Sequence, residues 1–142
     1  MFKVLFLCTE NACRSQMAEG LVNHFLGDQV RAYSAGVRPK VVNPRAVQVM
    51  GELDIDISGH RSKHVDELRG EEFDLVITVC DRAAGECPIF PGTTEVVHVG
   101  FPDPAQAVGS DEEILAEFRR VRDDMREQLL PLIRARAARK VS

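Results

Sequence analysis

One segment of the sequence places a cysteine, an arginine and a serine at a spacing that suits oxyanion chemistry. Five residues separate Cys8 from Arg14, and Ser15 follows directly. A loop of this length can turn successive backbone N–H groups inward around a tetrahedral oxyanion, with the guanidinium as a clamp. A following helix N-terminus and the arginine are expected to lower the pKa of the Cys8 thiol. The Ser15 hydroxyl is expected to hydrogen-bond the thiolate.

This segment predicts a cysteine nucleophile beneath an oxyanion-binding loop. The alternative is a buried cysteine at a strand end with an unrelated arginine nearby. The predicted loop consists of Thr9, Glu10, Asn11, Ala12, Cys13, Arg14 and Ser15.

A second pair of cysteines, Cys80 and Cys87, is separated by six residues, a loop short enough to close into a disulfide. Taken alone, the pair is also compatible with incidental thiols. If the strands that end at Cys8 and Cys80 are neighbours, the two cysteines lie at one sheet edge, about 4.8 Å apart laterally and close to disulfide range. The three cysteines then have the arrangement that thiol–disulfide exchange needs to carry oxidation from a buried site to the surface.

A carboxylate follows the last predicted strand on the same edge. Asp103 could act there as a general acid toward a departing oxygen. The dipeptide Asp103-Pro104 is equally a turn pattern.

The elements that must position these residues alternate between strand and helix. Apolar runs predict strands at 3–8, 30–34, 73–80 and 95–99. Helical spacing predicts a helix from Ser15, as its N-cap, up to Gly27, and another over 45–53 that Asn43-Pro44 opens. A capping box at Ser110-Asp-Glu-Glu113 begins a long C-terminal helix, which Pro131 is expected to kink or end. This order argues for one α/β domain over 1–142 with a four-stranded parallel sheet flanked by helices.

Composition and charge argue against some classes of partner and some locations in the cell. The chain has 142 residues and a formal net charge of −4, which argues against nucleic acid as a partner. The apolar run at the N-terminus is too short for a signal peptide, and no stretch approaches membrane-spanning length. We therefore expect a cytoplasmic protein whose cysteines are reduced.

The motifs resemble those of thioredoxin-coupled arsenate reductases, which share the low-molecular-weight tyrosine phosphatase fold with strand order 2-1-3-4. The resemblance covers nearly the whole chain. The Cys-x5-Arg-Ser loop is typical of the superfamily, and the Cys80 and Cys87 pair is typical of the reductases. The motifs are Cys8 to Ser15 followed by Gln16-Met-Ala-Glu19-Gly20, Tyr33-Ser-Ala-Gly36, Val42-Asn-Pro44, Asp56-Ile-Ser-Gly-His60, Cys80 to Pro88 and Phe101 to Pro104.

The resemblance implies reduction of arsenate to arsenite, in arsenic detoxification, by a relay of three cysteines. Cys8 attacks arsenate held by Arg14, with Asp103 assisting the loss of water or hydroxide. Cys80 then attacks Cys8, arsenite leaves, and Cys87 attacks Cys80 to give a disulfide that thioredoxin reduces. No cofactor and no metal is implied, and phosphate and sulfate are expected to mimic arsenate.

Similarity also implies that Asn11, Ser34 and His60 brace the oxyanion loop, and that Cys13 is accessory. His24, His64 and His98 are assigned no role. A monomer is expected, and weak phosphatase activity is expected as a side reaction.

Three positions depart from the family pattern. Glu10 replaces a usual glycine, and we expect its side chain to face solvent. Lys63 stands where some relatives carry an acidic ligand for a potassium ion, and its ammonium is expected to replace the ion. Ala105 follows Asp103-Pro104 where the phosphatases have tyrosine, and Tyr33 is the single tyrosine of a chain without tryptophan.

Other functions remain open at this point. The main alternative is a low-molecular-weight protein tyrosine phosphatase that uses the same loop. A thiolate metal module is a weaker one, because the cysteine spacings fit zinc ribbons poorly and Arg14 would lie beside a cation. The reductant could also be glutaredoxin or a low-molecular-weight thiol instead of thioredoxin.

Overall fold

The computed structural model describes residues 1–80 and 95–141 as alternating strands and helices. Cys87 therefore lies outside the described residues. The strands are β1 (Phe2–Cys8), β2 (Val30–Gly36), β3 (Leu75–Thr78) and β4 (Val96–His98). The helices are α1 (Arg14–Phe25), α2 (Pro44–Gly51) and α3 (Asp111–Val141), with 3₁₀ turns at Val65–Leu68 and Pro104–Gln106.

The strands form one parallel sheet in the order β2-β1-β3-β4, as the sequence and the family resemblance predict. β1 lies in the interior of the sheet, and Val4 to Leu7 are fully buried. Cys8 pairs with Gly36 on one side, and Leu7 pairs with Thr78 on the other. The carboxyl ends of all four strands therefore lie at one edge of the sheet.

Alternation along β1 divides the core between the two faces of the sheet. Val4, Phe6 and Cys8 belong to the larger hydrophobic cluster, which the three helices complete. Leu5 and Leu7 belong to a smaller cluster with Phe73 and Val76. Because successive side chains of a strand point to opposite faces, Cys8 must face the layer that contains α1.

The expected N-cap of α1 is wrong, and of the two outcomes expected at Pro131, a kink or an end, the helix end is not observed. The N-cap of α1 is Cys13 instead of Ser15, which lies inside the helix, and Cys13 makes no side-chain capping bond. The long helix does not end near Pro131 but continues to Val141. Pro131 faces solvent, whereas Leu129, Leu130 and Ile133 are buried, so packing on both sides of the proline keeps the helix continuous.

The capping predictions for the other two helices are confirmed. The Asn43 side chain accepts a hydrogen bond from the Arg45 backbone N–H at 2.8 Å, beside Pro44 at the first helical position. Ser110 and Glu113 exchange bonds of 3.1 and 3.2 Å as a capping box. In the described part of the chain, no helix is long and apolar enough to cross a membrane.

Candidate active site

The loop between β1 and α1 is held by hydrogen bonds to its carbonyl oxygens. Thr9 O accepts from the backbone N–H groups of residues 37 and 38 at 2.9 and 2.8 Å, and Glu10 O accepts from Lys40 N at 3.2 Å. Ala12 O accepts from Asn43 N at 2.9 Å. A peptide unit whose carbonyl is held on one side directs the next N–H to the other side, so these bonds favour inward N–H groups. The backbone N–H groups of Thr9 and Glu10 act to lower the pKa of the Cys8 thiol.

Asn11 is the conformational and polar centre of this loop. Its φ of 53° lies in the left-handed region, which asparagine tolerates better than most residues. Its side-chain amide donates to Ser15 Oγ at 2.7 Å, and its Oδ1 accepts from Gln16 Nε2 and Lys63 N, both at 2.9 Å. Asn11, Ser15 and Gln16 are completely buried. The loop conformation is therefore linked by buried bonds to α1 and to residue 63.

Gly36, at the end of β2, packs directly against the loop backbone. A Cβ at this position would lie 2.6 Å from Thr9 O, 2.8 Å from Cys8 O and 3.0 Å from Asn11 N. Contacts this short with backbone atoms cannot be relieved by rotating a side chain. The close approach of two backbones explains the glycine.

The loop surrounds a small cavity that is lined in part by Arg14 and Asp103, the two charged residues expected at the site. Its lining residues are Cys8, Glu10, Asn11, Ala12, Cys13, Arg14 and Asp103. The buried Arg14 donates from Nη1 to Phe101 O at 3.2 Å, and its Nη2 lies 3.7 Å from Asp103 Oδ2. Asp103 Oδ1 accepts from Ala105 N at 3.0 Å. The structure thus brings Cys8, Arg14 and Asp103 together from three separate segments.

The expected lowering of the Cys8 pKa is wrong for the ligand-free protein. Burial raises the pKa of the Cys8 thiol above its ordinary value, despite the opposing effects of Arg14 and of the two backbone N–H groups. The negative charge of Asp103 raises it further. For Cys13, burial and then Asp103 raise the pKa to about 12. The cost of burying the Cys8 thiolate exceeds the stabilisation that Arg14 provides. The sequence does not show how deeply Cys8 is buried, so it could not predict this direction of the pKa.

Cys80 follows β3 at the same sheet edge as Cys8. Val79 N donates to Leu7 O at 3.0 Å, which extends the β1–β3 pairing to the residue before Cys80. Cys80 is buried and disulfide-bonded, whereas Cys8 and Cys13 carry free thiols. The predicted neighbourhood of the strands that precede Cys8 and Cys80 is confirmed.

Behind the oxyanion loop lies a polar cluster of Glu19, Ser34, His60 and Lys63. Ser34 Oγ donates to Glu19 Oε1 at 2.9 Å, and His60 Nδ1 lies 3.1 Å from Glu19 Oε2 and 3.0 Å from Gln16 Oε1. The Lys63 ammonium lies 4.0 Å from Glu19 Oε1 and donates to Arg61 O at 3.3 Å. The chain itself therefore supplies a cation within 4.0 Å of the Glu19 carboxylate.

Sequence reasoning did not assign two residues that connect these groups. Gln16 bridges Asn11, His60 and the Arg61 carbonyl, with its Nε2 3.0 Å from Arg61 O. Lys40 pairs with Glu10, its Nζ lying 2.8 Å from Glu10 Oε2. Gln16 directly follows the Cys-x5-Arg-Ser loop on the first turn of α1, a position that could have identified it, whereas no sequence pattern connects Lys40 with residue 10. Glu10 is partly exposed and pairs with Lys40 while also lining the cavity, so it faces solvent only in part.

No group of three or more histidine, cysteine, aspartate or glutamate side chains in residues 1–80 and 95–141 could hold a metal ion.

Comparison with known proteins places this fold and site in a family. The family model for low molecular weight phosphotyrosine protein phosphatase matches residues 3–142. An arsenate reductase from Halalkalibacterium halodurans is 50% identical over 126 residues, which cover 89% of this chain and 91% of that protein.

Solved structures agree with this match. One described as an arsenate reductase in the phosphate binding state has 31% identity and a TM-score of 0.75, covering 95% of this chain and 98% of that one. A thioredoxin-dependent arsenate reductase from Corynebacterium glutamicum has 30% identity and a TM-score of 0.59, covering 89% of this chain and 61% of that one.

The chain belongs to the low molecular weight phosphotyrosine phosphatase family. Within that family, these relatives bear the name arsenate reductase, as the resemblance of the motifs anticipates.

The raised pKa of Cys8 predicts a pH profile for its alkylation by iodoacetamide in the reduced, ligand-free protein. Because only the thiolate reacts, the rate should be low at pH 7 and rise about tenfold per pH unit while the pH stays below the pKa. Asp103→Asn should shift the profile to lower pH by removing a negative charge. Peptide mapping by mass spectrometry separates Cys8 from the other cysteines. A rate that is already maximal at pH 7 would contradict the prediction.

Gly36→Ala should distort the oxyanion loop, because its Cβ would meet three backbone atoms of residues 8–11. We expect phosphate affinity, measured by calorimetry on the reduced protein, to fall by about 10- to 100-fold. Gly70→Ala is the matched control, since a Cβ there meets nothing within 4 Å. Equal affinities for the two variants would show that the close approach at residue 36 is unimportant.

The position of Lys63 predicts that potassium has little effect. Turnover and thermal unfolding of the wild type should be the same in KCl and NaCl at equal ionic strength. Lys63→Asp removes the internal cation and adds a carboxylate, so this variant should be more stable in KCl than in NaCl. A several-fold rise in wild-type turnover on exchanging sodium for potassium would refute the prediction.

Proposed function

We propose that this protein reduces arsenate to arsenite through a relay of Cys8, Cys80 and Cys87, and that it serves arsenic detoxification. The observation that carries the proposal is the pocket in which Cys8 and Arg14 lie together, at the sheet edge that Cys80 also reaches. The names of its relatives support arsenate as the substrate.

In the first step, arsenate binds as an anion to the loop N–H groups and the Arg14 guanidinium. The Cys8 thiolate attacks arsenic, a sulfur–arsenic bond forms, and an oxygen leaves as water. Asp103 supplies the proton that this oxygen needs to leave as water. Asp103 lines the pocket, its Oδ2 lies 3.7 Å from Arg14 Nη2, and its Oδ1 accepts a hydrogen bond from Ala105 N. Because burial raises the pKa of Cys8, its thiol must lose a proton before the attack. Asp103 transfers that proton to the departing hydroxyl, so one thiol proton and one arsenate hydroxyl form the water that leaves.

In the second step, the Cys80 thiolate attacks the Cys8 sulfur. The sulfur–arsenic bond breaks, its electron pair reduces arsenic from the +5 to the +3 state, and arsenite leaves. A Cys8–Cys80 disulfide results. The adjacent positions of β1 and β3 support this exchange, because it requires the two sulfurs to approach within bonding distance.

In the third step, the Cys87 thiolate attacks Cys80 and releases Cys8. The resulting Cys80–Cys87 disulfide must be reduced by an external dithiol before the next turnover. We propose thioredoxin as that reductant, on the similarity to a thioredoxin-dependent arsenate reductase. The same proposal includes a cytoplasmic setting, where thiols are kept reduced, a monomeric enzyme, and competition by phosphate and sulfate.

Phosphotyrosine hydrolysis is the second candidate, favoured by the name of the family model. Among the described residues, however, the cavity is lined by no aromatic side chain. Such a lining offers little apolar surface for a phenyl group. Weak hydrolysis of small phosphate esters is still expected, since the loop binds any tetrahedral oxyanion.

Replacement of Cys87 should separate the two functions. With thioredoxin, thioredoxin reductase and NADPH, the wild type should reduce arsenate continuously. Cys87→Ser should stop after about one equivalent of arsenite, because the Cys8–Cys80 disulfide can form but has no internal thiol to resolve it. Arsenite is quantified by chromatography coupled to elemental mass spectrometry.

Hydrolysis of an aryl phosphate provides the control on folding, since Cys87→Ser and Cys80→Ser should both retain it. If the wild type reduces no arsenate with thioredoxin, glutaredoxin or a low-molecular-weight thiol, but hydrolyses aryl phosphates, the protein is a phosphatase.

A further inference from the structure

The oxyanion pocket contains an unfavourable charge. Glu10 belongs to the loop itself, lines the cavity, and retains about two-fifths of its side-chain exposure. Its negative charge helps to raise the pKa of Cys13, so its field reaches the interior of the loop. A carboxylate in this position repels a doubly charged oxyanion.

The charges of the side chains that line the cavity do not cancel. Glu10 and Asp103 are acidic, and Arg14 is the one basic residue among the lining groups. Without a further cation, these side chains give the pocket a formal charge of −1, which disfavours an anionic ligand.

Lys40 supplies the missing charge from a neighbouring segment. Its ammonium lies 2.8 Å from Glu10 Oε2, and its backbone N–H donates to Glu10 O at 3.2 Å. The two bonds hold residue 40 against residue 10 at both the main chain and the side chain. The segment that carries Lys40 also supports the loop through the N–H groups bonded to Thr9 O.

We propose that Lys40 is an oxyanion-affinity residue, which acts by neutralising the Glu10 carboxylate at the mouth of the pocket. The inference rests on the oxyanion binding that the proposed function requires, but not on the cysteine relay. The pair is partly exposed, so solvent and salt screen it and its effect is modest. Removing Lys40 alone should weaken phosphate binding about three- to fivefold, whereas removing both charges should restore it.

The test is a double-mutant cycle on the affinity for inorganic phosphate. Calorimetry on the reduced protein, in a buffer free of phosphate and sulfate, compares wild type, Lys40→Met, Glu10→Gln and the double variant. Lys40→Met should bind phosphate more weakly, Glu10→Gln more tightly, and the double variant within about twofold of the wild type. The loss in Lys40→Met should diminish when NaCl is raised to 0.5 M.

Lys140→Met is the matched control. Lys140 is also an exposed lysine paired with a carboxylate, Asp74 at 2.6 Å, but it lies outside the pocket lining. This variant has the same net charge as Lys40→Met and should bind phosphate like the wild type. Thermal unfolding of each variant verifies that it is folded.

The outcomes distinguish the inference from the proposed function. Unchanged affinity in Lys40→Met, or an equal loss with and without Glu10, would overturn the role assigned to the pair. If phosphate fails to bind the wild type, both the inference and the proposed oxyanion site are wrong. If the binding cycle behaves as expected but no arsenate is reduced, the inference stands and the reductase function fails.

Discussion

The orientation of a few peptide groups between β1 and α1 determines what this protein can do. A loop of residues 9–13 can surround an anion only if its N–H groups point inward, and its carbonyl oxygens then need partners outside. Those partners come from residues 37–43 and from Ser62 Oγ, which donates to Asn11 O at 2.8 Å. The segments around the loop thus supply the hydrogen-bond donors for the outward-facing carbonyl oxygens of this short backbone segment.

This requirement explains several features that would otherwise be unrelated. Gly36 has no side chain because the loop backbone occupies the space where one would lie. Asn11 adopts a left-handed conformation and satisfies three partners with one buried amide. The polar cluster around Glu19 stands behind these contacts and joins α1 to the end of β2 and to residues 60–63. A substitution at any of these residues should therefore change the conformation of the oxyanion loop, even though none of them needs to contact the ligand.

The sequence was sufficient for the elements and the location of the site because both depend on local patterns. Apolar runs and capping residues predict β1, α2 and the start of α3 within one or two residues. From the residues alone, the neighbourhood of β1 and the strand before Cys80 is only a condition, and the strand order comes from the resemblance to the phosphatase fold. Strand ends were less well predicted, since β3 spans Leu75–Thr78 instead of 73–80.

The features that could not be predicted depend on contacts distant in sequence. The sequence predicts Ser15 as an N-cap. In the structure Ser15 lies inside the helix and its Oγ accepts a hydrogen bond from the Asn11 side chain, four residues earlier. Pro131 predicts a helix end from the sequence, but residues on either side of it are buried in the larger hydrophobic cluster and the helix continues. The pKa of Cys8 follows the sum of burial, Arg14, Asp103 and two N–H groups, and the sequence gives no measure of burial.

We propose that the Lys63 ammonium takes the place of a dissolved cation in the polar cluster behind the oxyanion loop. A freely dissolved ion must be captured from solution, so its occupancy follows its concentration and its binding contributes to stability only when it is abundant. An ammonium attached to the backbone near Asn11 has a fixed, high local concentration that dilution cannot lower. On this proposal, assembly of the cluster behind the oxyanion loop is a unimolecular part of folding and does not depend on which cations the medium contains.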